Sequence, residues 1–227
     1  MTQTLDHYNK TALRYAEINH ALPSAQGQVD QFMAHFRAHQ APGVDRPLRL
    51  LDAGSGTGRD TLLFQKEGFE VDAFDGSQAM VELSSRLTGR PTRLMRFEDL
   101  DLPADHYDVV WAMASMLHVG RDQLAKTFVE LGSALVPGGL LFASFKLGKG
   151  TREVPEDGRV FTDLDEEGVA HLLTATEGFE LVATAQREPP ANQSYGAPWF
   201  SVVLKRTGPR PQLKLPEPSP KRRSGPR

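Results

Sequence analysis

Residues 50–60, Leu-Leu-Asp-Ala-Gly-Ser-Gly-Thr-Gly-Arg-Asp, constrain the fold of this chain more than any other segment. The leucines before Asp52 predict a buried parallel strand that ends at its carboxyl edge. Gly54, Gly56 and Gly58 follow at once, and residues 59–66 have the pattern of a helix. Glycine reaches positive φ and lets a ligand approach the backbone, so this order of elements predicts a nucleotide-like ligand at the helix start.

The spacing of the glycines narrows the class of ligand. A dinucleotide fingerprint requires G-x-G-x-x-G, whereas the sixth position here is Arg59, which would crowd a pyrophosphate. A phosphate-binding Walker loop is excluded, because no Gly-Lys-Ser/Thr follows. The loop alone is a weak signal and leaves more than one class of cofactor open.

A second acidic residue, Asp75, ends the next predicted strand, residues 69–75, and lies 21 positions after Gly54. In a doubly wound sheet this position is the tip of the neighbouring strand, where the two carboxylate oxygens can accept both hydroxyls of a ribose. A solvated aspartate at a strand end is the alternative. We favour the ribose role because the glycine loop stands at the distance that this role requires.

Together these residues carry a resemblance to the class I S-adenosylmethionine-dependent methyltransferases. Asp52 to Gly58 match the first motif, D-x-G-x-G-x-G, and Asp75 matches the ribose-binding acidic residue. Segments 76–80, 97–100, 107–112 and the L-x-P-G-G turn at 135–139 extend the resemblance, which covers about residues 5 to 205. The small-molecule branch that includes tellurite-resistance-type methyltransferases is loosely similar.

The resemblance implies an α/β fold: one Rossmann-like, doubly wound, seven-stranded sheet, mostly parallel, closed by a C-terminal antiparallel hairpin and preceded by N-terminal lid helices. We predict lid helices over 1–44, the S-adenosylmethionine-binding domain over 45–206, and a disordered, basic, proline-rich tail over 207–227. We expect both N-terminal helices to lie across the carboxyl edge of the sheet, outside its core. A chain of 227 residues with 39% hydrophobic content suffices for one such core.

The resemblance also implies a set of cofactor-binding residues. They are Tyr15, Asp52, Ala53, Gly54, Gly56, Gly58, Asp75, Gly76, Ser77, Met80, Phe97, Glu98, Asp99 and Ala112. Met80 is placed to cover the adenine, and either Glu98 or Asp99 is expected to accept from its amino group, with Glu98 slightly favoured.

Candidate residues for the methyl acceptor lie in the segments that follow the strands. His118 is the candidate catalytic base because it titrates near neutrality, a helix-start histidine being the alternative. Lys146, Arg152 and Arg159 follow strand five and suggest an anionic substrate, although exposed loops are commonly charged. Tyr8, which lies in the predicted lid with Tyr15, is a further candidate for binding the substrate.

A further substrate-binding candidate, Tyr195, lies in the loop before the last strand. The chain has no cysteine, which excludes disulfides, thiolate metal sites and a cysteine nucleophile, and we predict no metal site. No signal sequence or membrane span is evident, so a cytoplasmic protein without membrane partners is expected.

The charge distribution bears on the partners. Residues 207–227 carry six basic residues and one acidic, about +5, which leaves about −8 for the rest. An RNA or protein methyltransferase that uses this tail is one alternative; a non-catalytic binding protein with a cofactor fold is another. A nucleic-acid partner is disfavoured because the acidic domain repels phosphate and the chain lacks an Asn/Asp-Pro-Pro-aromatic motif. We therefore predict in-line methyl transfer from S-adenosylmethionine to oxygen or nitrogen of a small, anionic metabolite.

Overall fold

A computed structural model describes residues 2–20, 24–39, 45–188 and 197–214. The helices are α1 (Thr2–His20), α2 (Ser24–His39), α3 (Arg59–Lys66), α4 (Gln78–Thr88), α5 (Arg121–Ala134) and α6 (Glu166–Ala175), with a 3-10 turn at Met116–His118. The strands are β1 (Arg49–Ala53), β2 (Glu70–Asp75), β3 (Thr92–Leu94), β4 (Tyr107–Ala112), β5 (Leu135–Lys146), β6 (Gly150–Glu153), β7 (Val160–Asp163), β8 (Thr176–Glu177), β9 (Phe179–Arg187), β10 (Trp199–Arg206) and β11 (Gln212–Leu213).

The main sheet has seven strands in the order β3-β2-β1-β4-β5-β10-β9. The first five run parallel, and β10 pairs antiparallel with both β5 and β9. The order reverses between β1 and β4, and a ligand crevice in an open α/β sheet opens at such a reversal, outside the carboxyl ends of the strands. The predicted α/β fold, with its mostly parallel sheet and C-terminal antiparallel hairpin, is confirmed.

Helix α2 packs in the core on one face of the sheet. Its apolar residues Val29, Phe32, Met33 and Phe36 repeat at helical spacing and are buried. The Phe32 ring lies 5.3 Å from the Trp111 ring of β4, centroid to centroid. The expectation that both N-terminal helices lie outside the core was therefore wrong for α2, because its apolar stripe covers one face of the sheet.

Helix α1 has the predicted position over the carboxyl edge. The Asn9 side-chain oxygen accepts hydrogen bonds from the Ser77 hydroxyl at 2.7 Å and from the Ala79 N–H at 3.2 Å, so the helix is attached to the start of α4. Leu13 and Ile18 of this helix are 71% and 52% exposed, because its packed face turns toward α4 and the cavity.

The polar connection after β5 forms a β-hairpin of β6 and β7, where the sequence suggested only a long loop. Strand β7 lies beside α1 and the 3-10 turn. The Val160 N–H donates to the Thr4 hydroxyl at 3.4 Å, and the Thr162 hydroxyl donates to the Val119 carbonyl at 2.7 Å. The alternating apolar and β-branched residues of β7 suit such a half-buried strand.

The beginning of the predicted tail packs on the domain. Gln212–Leu213 pair antiparallel with Thr176–Glu177, and the Arg210 guanidinium donates to Asp105 at 2.6 Å. The predicted boundary at residue 206 therefore differs from the structure, which continues the packed chain to 214. Residues 215–227 lie outside the described residues.

The packing of α2 predicts a large loss of stability on truncation. Phe32→Ala should lower the free energy of unfolding by about 3–5 kcal/mol, because it leaves a cavity between α2 and the sheet. Leu13→Ala, at an exposed position of α1, should change it by less than about 0.5 kcal/mol. Urea unfolding followed by circular dichroism measures both. Equally small effects of the two substitutions would contradict the position of α2 in the core.

Candidate active site

A cavity of about 620 Å³, including its open mouth, lies at the carboxyl edge of the sheet beneath α1. Its lining comprises Thr4, Leu5, Tyr8, Tyr15, Gly54, Gly56, Asp75, Gly76, Met80, Met95, Arg96, Phe97, Ala114, Ser115 and His118.

The glycine loop forms the floor of this cavity. The Gly54 and Ser55 N–H groups both donate to the Phe74 carbonyl at 2.9 Å, which holds the loop against the tip of β2. Gly54 has φ +78°, and a Cβ there would lie 2.4 Å from the Ser115 Cβ. At Gly56, with φ +55°, a Cβ would meet nothing within 4 Å. The loop is thus packed at its first glycine and open to a ligand at its second.

Asp75 lies at the tip of β2 and lines the cavity. Its two carboxylate oxygens accept from the Gly56 N–H at 2.9 Å and the Ser77 N–H at 2.8 Å. Burial raises the pKa of Asp75, while these backbone donors oppose the rise. Each oxygen retains a further lone pair, so the carboxylate can accept a vicinal diol while it orders the loop.

The wall beyond Asp75 is apolar. Met80, Met95 and Phe97 line it, and Phe97 packs edge-on against Phe74 with ring centroids 5.3 Å apart. Such flexible thioethers and an aromatic ring suit a planar heterocycle. The neighbouring residues 98 and 99 are exposed and do not line the cavity, so the predicted acidic contact to adenine stays a prediction.

Several predicted cofactor residues lie beneath the loop instead of in the cavity. Asp52 is buried and accepts from the Thr61 hydroxyl at 2.5 Å, and burial raises its pKa to about 8, with the charge of Asp60 adding to the effect. A Cβ at Gly58 would lie 2.7 Å from the Ser84 hydroxyl oxygen, so this glycine permits α3 to pack on α4. Asp52 and Gly58 therefore support the glycine loop from below and do not have the direct contact with the cofactor that was predicted for them.

Three further residues predicted to bind the cofactor, Ala53, Ser77 and Ala112, also do not line the cavity. The Ala53 carbonyl accepts from the Ser115 hydroxyl at 2.6 Å, and Ser77 caps α4 by accepting from the Met80 N–H at 3.3 Å. Ala112 is buried at the end of β4, and the chain turns into the cavity two residues later, at Ala114, with φ +52°. Ala114 and Ser115 therefore line the cavity in its place.

His118 forms the far end of the cavity together with Tyr8. Its Nδ1 lies 3.1 Å from the Val160 carbonyl oxygen, which can only accept, so Nδ1 carries the hydrogen. Its Nε2 lies 2.9 Å from the Tyr8 hydroxyl, which donates to it, and the Arg159 guanidinium donates to the Tyr8 oxygen at 3.2 Å. Burial lowers the pKa of His118 to about 4, and Arg159 contributes to the lowering.

The basic residues after β5 do not line the cavity. Arg159 forms a buried ion pair with Asp157, with its Nε 3.0 Å from a carboxylate oxygen, and Arg152 donates to Asp163 at 2.7 Å. Their predicted direct contact with an anionic substrate is therefore not supported by the structure, because both charges are paired within the β6–β7 hairpin. Lys146 is buried and donates to the Ala197 carbonyl at 3.1 Å. Tyr195 lies outside the described residues.

Sequence reasoning missed six residues of the cavity: Thr4, Leu5, Met95, Arg96, Ala114 and Ser115. Met95 and Arg96 precede Phe97 directly after β3, and their position at the carboxyl end of a parallel strand is a signal that could have identified them.

The strand order, the glycine loop and the carboxylate at the tip of β2 define a class I S-adenosylmethionine-dependent methyltransferase. Residues 51–143 match a family model described as a methyltransferase domain, and this match supports an enzyme of this class with S-adenosylmethionine as methyl donor. The resemblance noted in the sequence is confirmed. No curated protein matches the chain.

Solved structures share the fold at low identity. A 1,6-didemethyltoxoflavin-N1-methyltransferase from Burkholderia thailandensis, with bound 1,6-didemethyltoxoflavin and S-adenosylhomocysteine, superposes with a TM-score of 0.71 at 20% identity, over 91% of this chain and 88% of its own. A magnesium protoporphyrin IX methyltransferase from Synechocystis with bound S-adenosylmethionine gives 0.66 at 18%, over 91% and 96%. A methyltransferase from Leishmania major gives 0.69 at 21%, over 90% and 82%.

Two further observations concern partners. Within the described ranges, no helix is long and apolar enough to cross a membrane. The same residues contain no group of three or more His, Cys, Asp or Glu side chains that could hold a metal ion.

The geometry of Asp75 predicts a specific loss of cofactor affinity. Asp75→Asn should weaken S-adenosylmethionine binding about 10- to 100-fold, because two charge-assisted hydrogen bonds become neutral ones. Asp72→Asn, the same change on the same strand but outside the cavity, should leave affinity unchanged. Isothermal titration calorimetry with S-adenosylmethionine, and with NAD as the competing class, measures this. Equal affinities of the two variants for S-adenosylmethionine would contradict a contact between Asp75 and the cofactor.

The surroundings of His118 predict an unusually acidic imidazolium. Protonation would place a second positive charge beside Arg159 in a desolvated site, so the neutral form should persist well below pH 6.5. The imidazole resonance of His118, assigned with His118→Asn, should titrate near pH 4 in nuclear magnetic resonance spectra. A midpoint near 6.5 would show that the ring is solvated.

Proposed function

We propose that this protein transfers the methyl group of S-adenosylmethionine in-line to oxygen or nitrogen of a small, anionic metabolite, with His118 as catalytic base. One observation carries this proposal: a single cavity joins the glycine loop and Asp75 at one end to Tyr8 and His118 at the other. A methyl acceptor that bears hydrogen needs both a methyl donor and a group that takes its proton, and the lining of this cavity includes residues suited to each role.

The residues of the cavity fit the donor. The open backbone at Gly56 admits a close ligand, the Asp75 oxygens suit a ribose diol, and Met80 and Phe97 suit adenine. When bound, S-adenosylmethionine supplies an electrophilic methyl carbon whose bond to sulfur breaks as an acceptor lone pair attacks, the bonding electrons remaining on sulfur. An O–H or N–H acceptor then has one proton to lose.

Tyr8 and His118 supply the route for that proton. The Tyr8 oxygen takes the proton of the methyl acceptor while the Tyr8 hydroxyl hydrogen passes to His118 Nε2, 2.9 Å away. The Nδ1–H of His118 stays hydrogen-bonded to the Val160 carbonyl. Burial raises the pKa of Tyr8, which keeps its hydroxyl protonated and donating at neutral pH. Loss of positive charge at sulfur favours the new charge on His118, because both lie in the same desolvated cavity.

A small acceptor is favoured by the enclosure of the site. Helix α1 and the β6–β7 hairpin cover the cavity, with the Val160 N–H bonded to Thr4 across the two elements. The structural neighbours include enzymes named as methyltransferases of 1,6-didemethyltoxoflavin and of magnesium protoporphyrin IX. A long polymer would meet an acidic domain surface, which opposes nucleic acid.

The relay predicts distinct kinetic effects for its two members. With an acceptor found in a metabolite screen, His118→Asn should lower kcat about 100- to 10,000-fold, because it removes the base. Tyr8→Phe should lower kcat by at least about tenfold, since it removes the hydroxyl that connects acceptor and imidazole. Methyl transfer is followed with radiolabelled S-adenosylmethionine.

Thr11→Val is a matched control on α1, because the Thr11 hydroxyl bonds only within its helix, to the His7 carbonyl at 2.8 Å. Its kcat should equal that of the wild type. Calorimetry should give unchanged S-adenosylmethionine affinity for His118→Asn. An unchanged kcat in this variant would contradict the base role, and turnover of neutral or cationic acceptors alone would contradict the anionic substrate.

A further inference from the structure

Three side chains line up at one edge of the sheet, at the end of β5, the start of β10 and the end of β9. Trp199 of β10 is paired with Lys146 of β5 on one side and with Arg187 of β9 on the other. Residues directly opposite in antiparallel strands project from the same face. Lys146, Trp199 and Arg187, called here the basic row, therefore share one face of the sheet at its ligand-binding edge.

The Lys146 side chain of the basic row lies over the tryptophan ring. The Lys146 Nζ lies 3.9 Å from the centroid of the Trp199 ring, so its side chain leans across β10 toward β9. Their strands are separated by one intervening strand, about 10 Å between backbones, a distance that two long side chains directed at each other can largely close. Both charges can thus reach one ligand group above the indole.

Arg187 has the character of a ligand-binding residue. Its Nε is buried and has no hydrogen-bond partner, and within the described chain no carboxylate pairs with it. Buried polar atoms are nearly always bonded, so such a guanidinium indicates an oxyanion that binds there. Arg152 and Arg159, by contrast, are each paired with an aspartate.

The surrounding charge also favours an anion. Burial lowers the pKa of Lys146 to about 8, and the charges of Arg152 and Arg187 lower it further. Burial lowers the pKa of Arg187 too, and Arg59 adds to this effect. The segment 188–198, which connects the two strands of the hairpin, contains a single acidic residue, Glu188, and the charge of Asp163 partly opposes the lowering of the Lys146 pKa. An oxyanion would relieve this repulsion.

The basic row lies next to the cavity. Ser144 and Lys146 are two residues apart on β5 and so project from one face, about 7 Å apart along the strand. The Ser144 hydroxyl accepts from the N–H of Ala114, which lines the cavity, at 2.8 Å. A ligand that extends from the cavity along the strand direction therefore meets Lys146 first and Arg187 beyond it.

We propose that Arg187 and Lys146, flanking Trp199, bind an oxyanion group of the methyl acceptor, a carboxylate or a phosphate, and that Arg187 determines the specificity for anionic substrates. This inference rests on the proposed function and identifies the residues that recognise its substrate. Arg187 replaces Arg152 and Arg159 as the anion-binding arginine.

The two tryptophans of the chain provide the measurement. Trp199 belongs to the basic row, whereas Trp111 is buried in the core and bonded to Asp60 at 3.0 Å, so its indole serves as an internal control. Full-length protein with bound S-adenosylhomocysteine is titrated with benzoate, phenyl phosphate or neutral benzamide, and the indole N–H resonances are followed. We expect benzoate or phenyl phosphate to shift the Trp199 resonance to saturation, with benzamide without effect; the stronger of the two anions identifies the oxyanion.

Variants connect this response to Arg187. Arg187→Gln should weaken the binding of the anion about 10- to 100-fold, because a charge-assisted, bidentate contact is lost, whereas Arg187→Lys should retain part of it. Arg49→Gln, the matched change at the amino edge of the sheet, should bind like the wild type. Calorimetric binding of S-adenosylhomocysteine shows that each variant is folded.

The possible outcomes distinguish a failure of the proposed function from a failure of the anion site. Wild-type protein that fails to bind S-adenosylhomocysteine would contradict the proposed function. Binding of S-adenosylhomocysteine with no response of Trp199 to either anion, an equal response to benzamide, or an unchanged response in Arg187→Gln would overturn the anion site alone.

Discussion

The attachment of the glycine loop to the tip of β2 is the interaction on which the rest of the site depends. The Phe74 carbonyl accepts from the Gly54 and Ser55 N–H groups, and the Asp75 carboxylate accepts from Gly56 and from Ser77 at the start of α4. One strand end thus orders the loop after β1 and the helix after β2 at once. Only glycine fits at position 54, because a Cβ there would clash with Ser115. The attached loop therefore also determines where the segment after β4 reaches the cavity.

The opposite end of the cavity is assembled from segments that are far apart in sequence. Tyr8 comes from α1, His118 from the turn after β4, and Arg159 and Val160 from the hairpin after β5. The direction of this chain of hydrogen bonds follows from chemistry, because a guanidinium only donates and a carbonyl only accepts. It sets the tautomer of His118 and leaves Nε2 facing Tyr8, whose placement depends on the attachment of α1 to α4 through Asn9.

The basic residues at the carboxyl edge divide into those paired within the fold and those of the proposed anion site. Arg152 and Arg159 are held by Asp163 and Asp157 and stiffen the hairpin that covers the site. Arg187 has a buried nitrogen without a bond and stands one strand away from Trp199, with Lys146 on the other side. Counting basic residues in a loop could not separate these roles, since pairing is decided by which carboxylates the fold brings near.

The sequence by itself determined the class of enzyme, the strand that carries the glycine loop, the position of Asp75 at the tip of β2 and the helix over residues 59–66, because these follow from local periodicity, backbone freedom and a short motif. Only the tertiary structure decided that α2 packs in the core, that residues 150–163 form a covering hairpin, that Asp52 and Gly58 support the loop from below, and that Tyr8, His118 and Arg159 meet. Those outcomes depend on tertiary contacts, which for Tyr8 with His118 and with Arg159 join residues more than a hundred positions apart, and no local pattern encodes which buried carboxylate, carbonyl or ring a given side chain will meet.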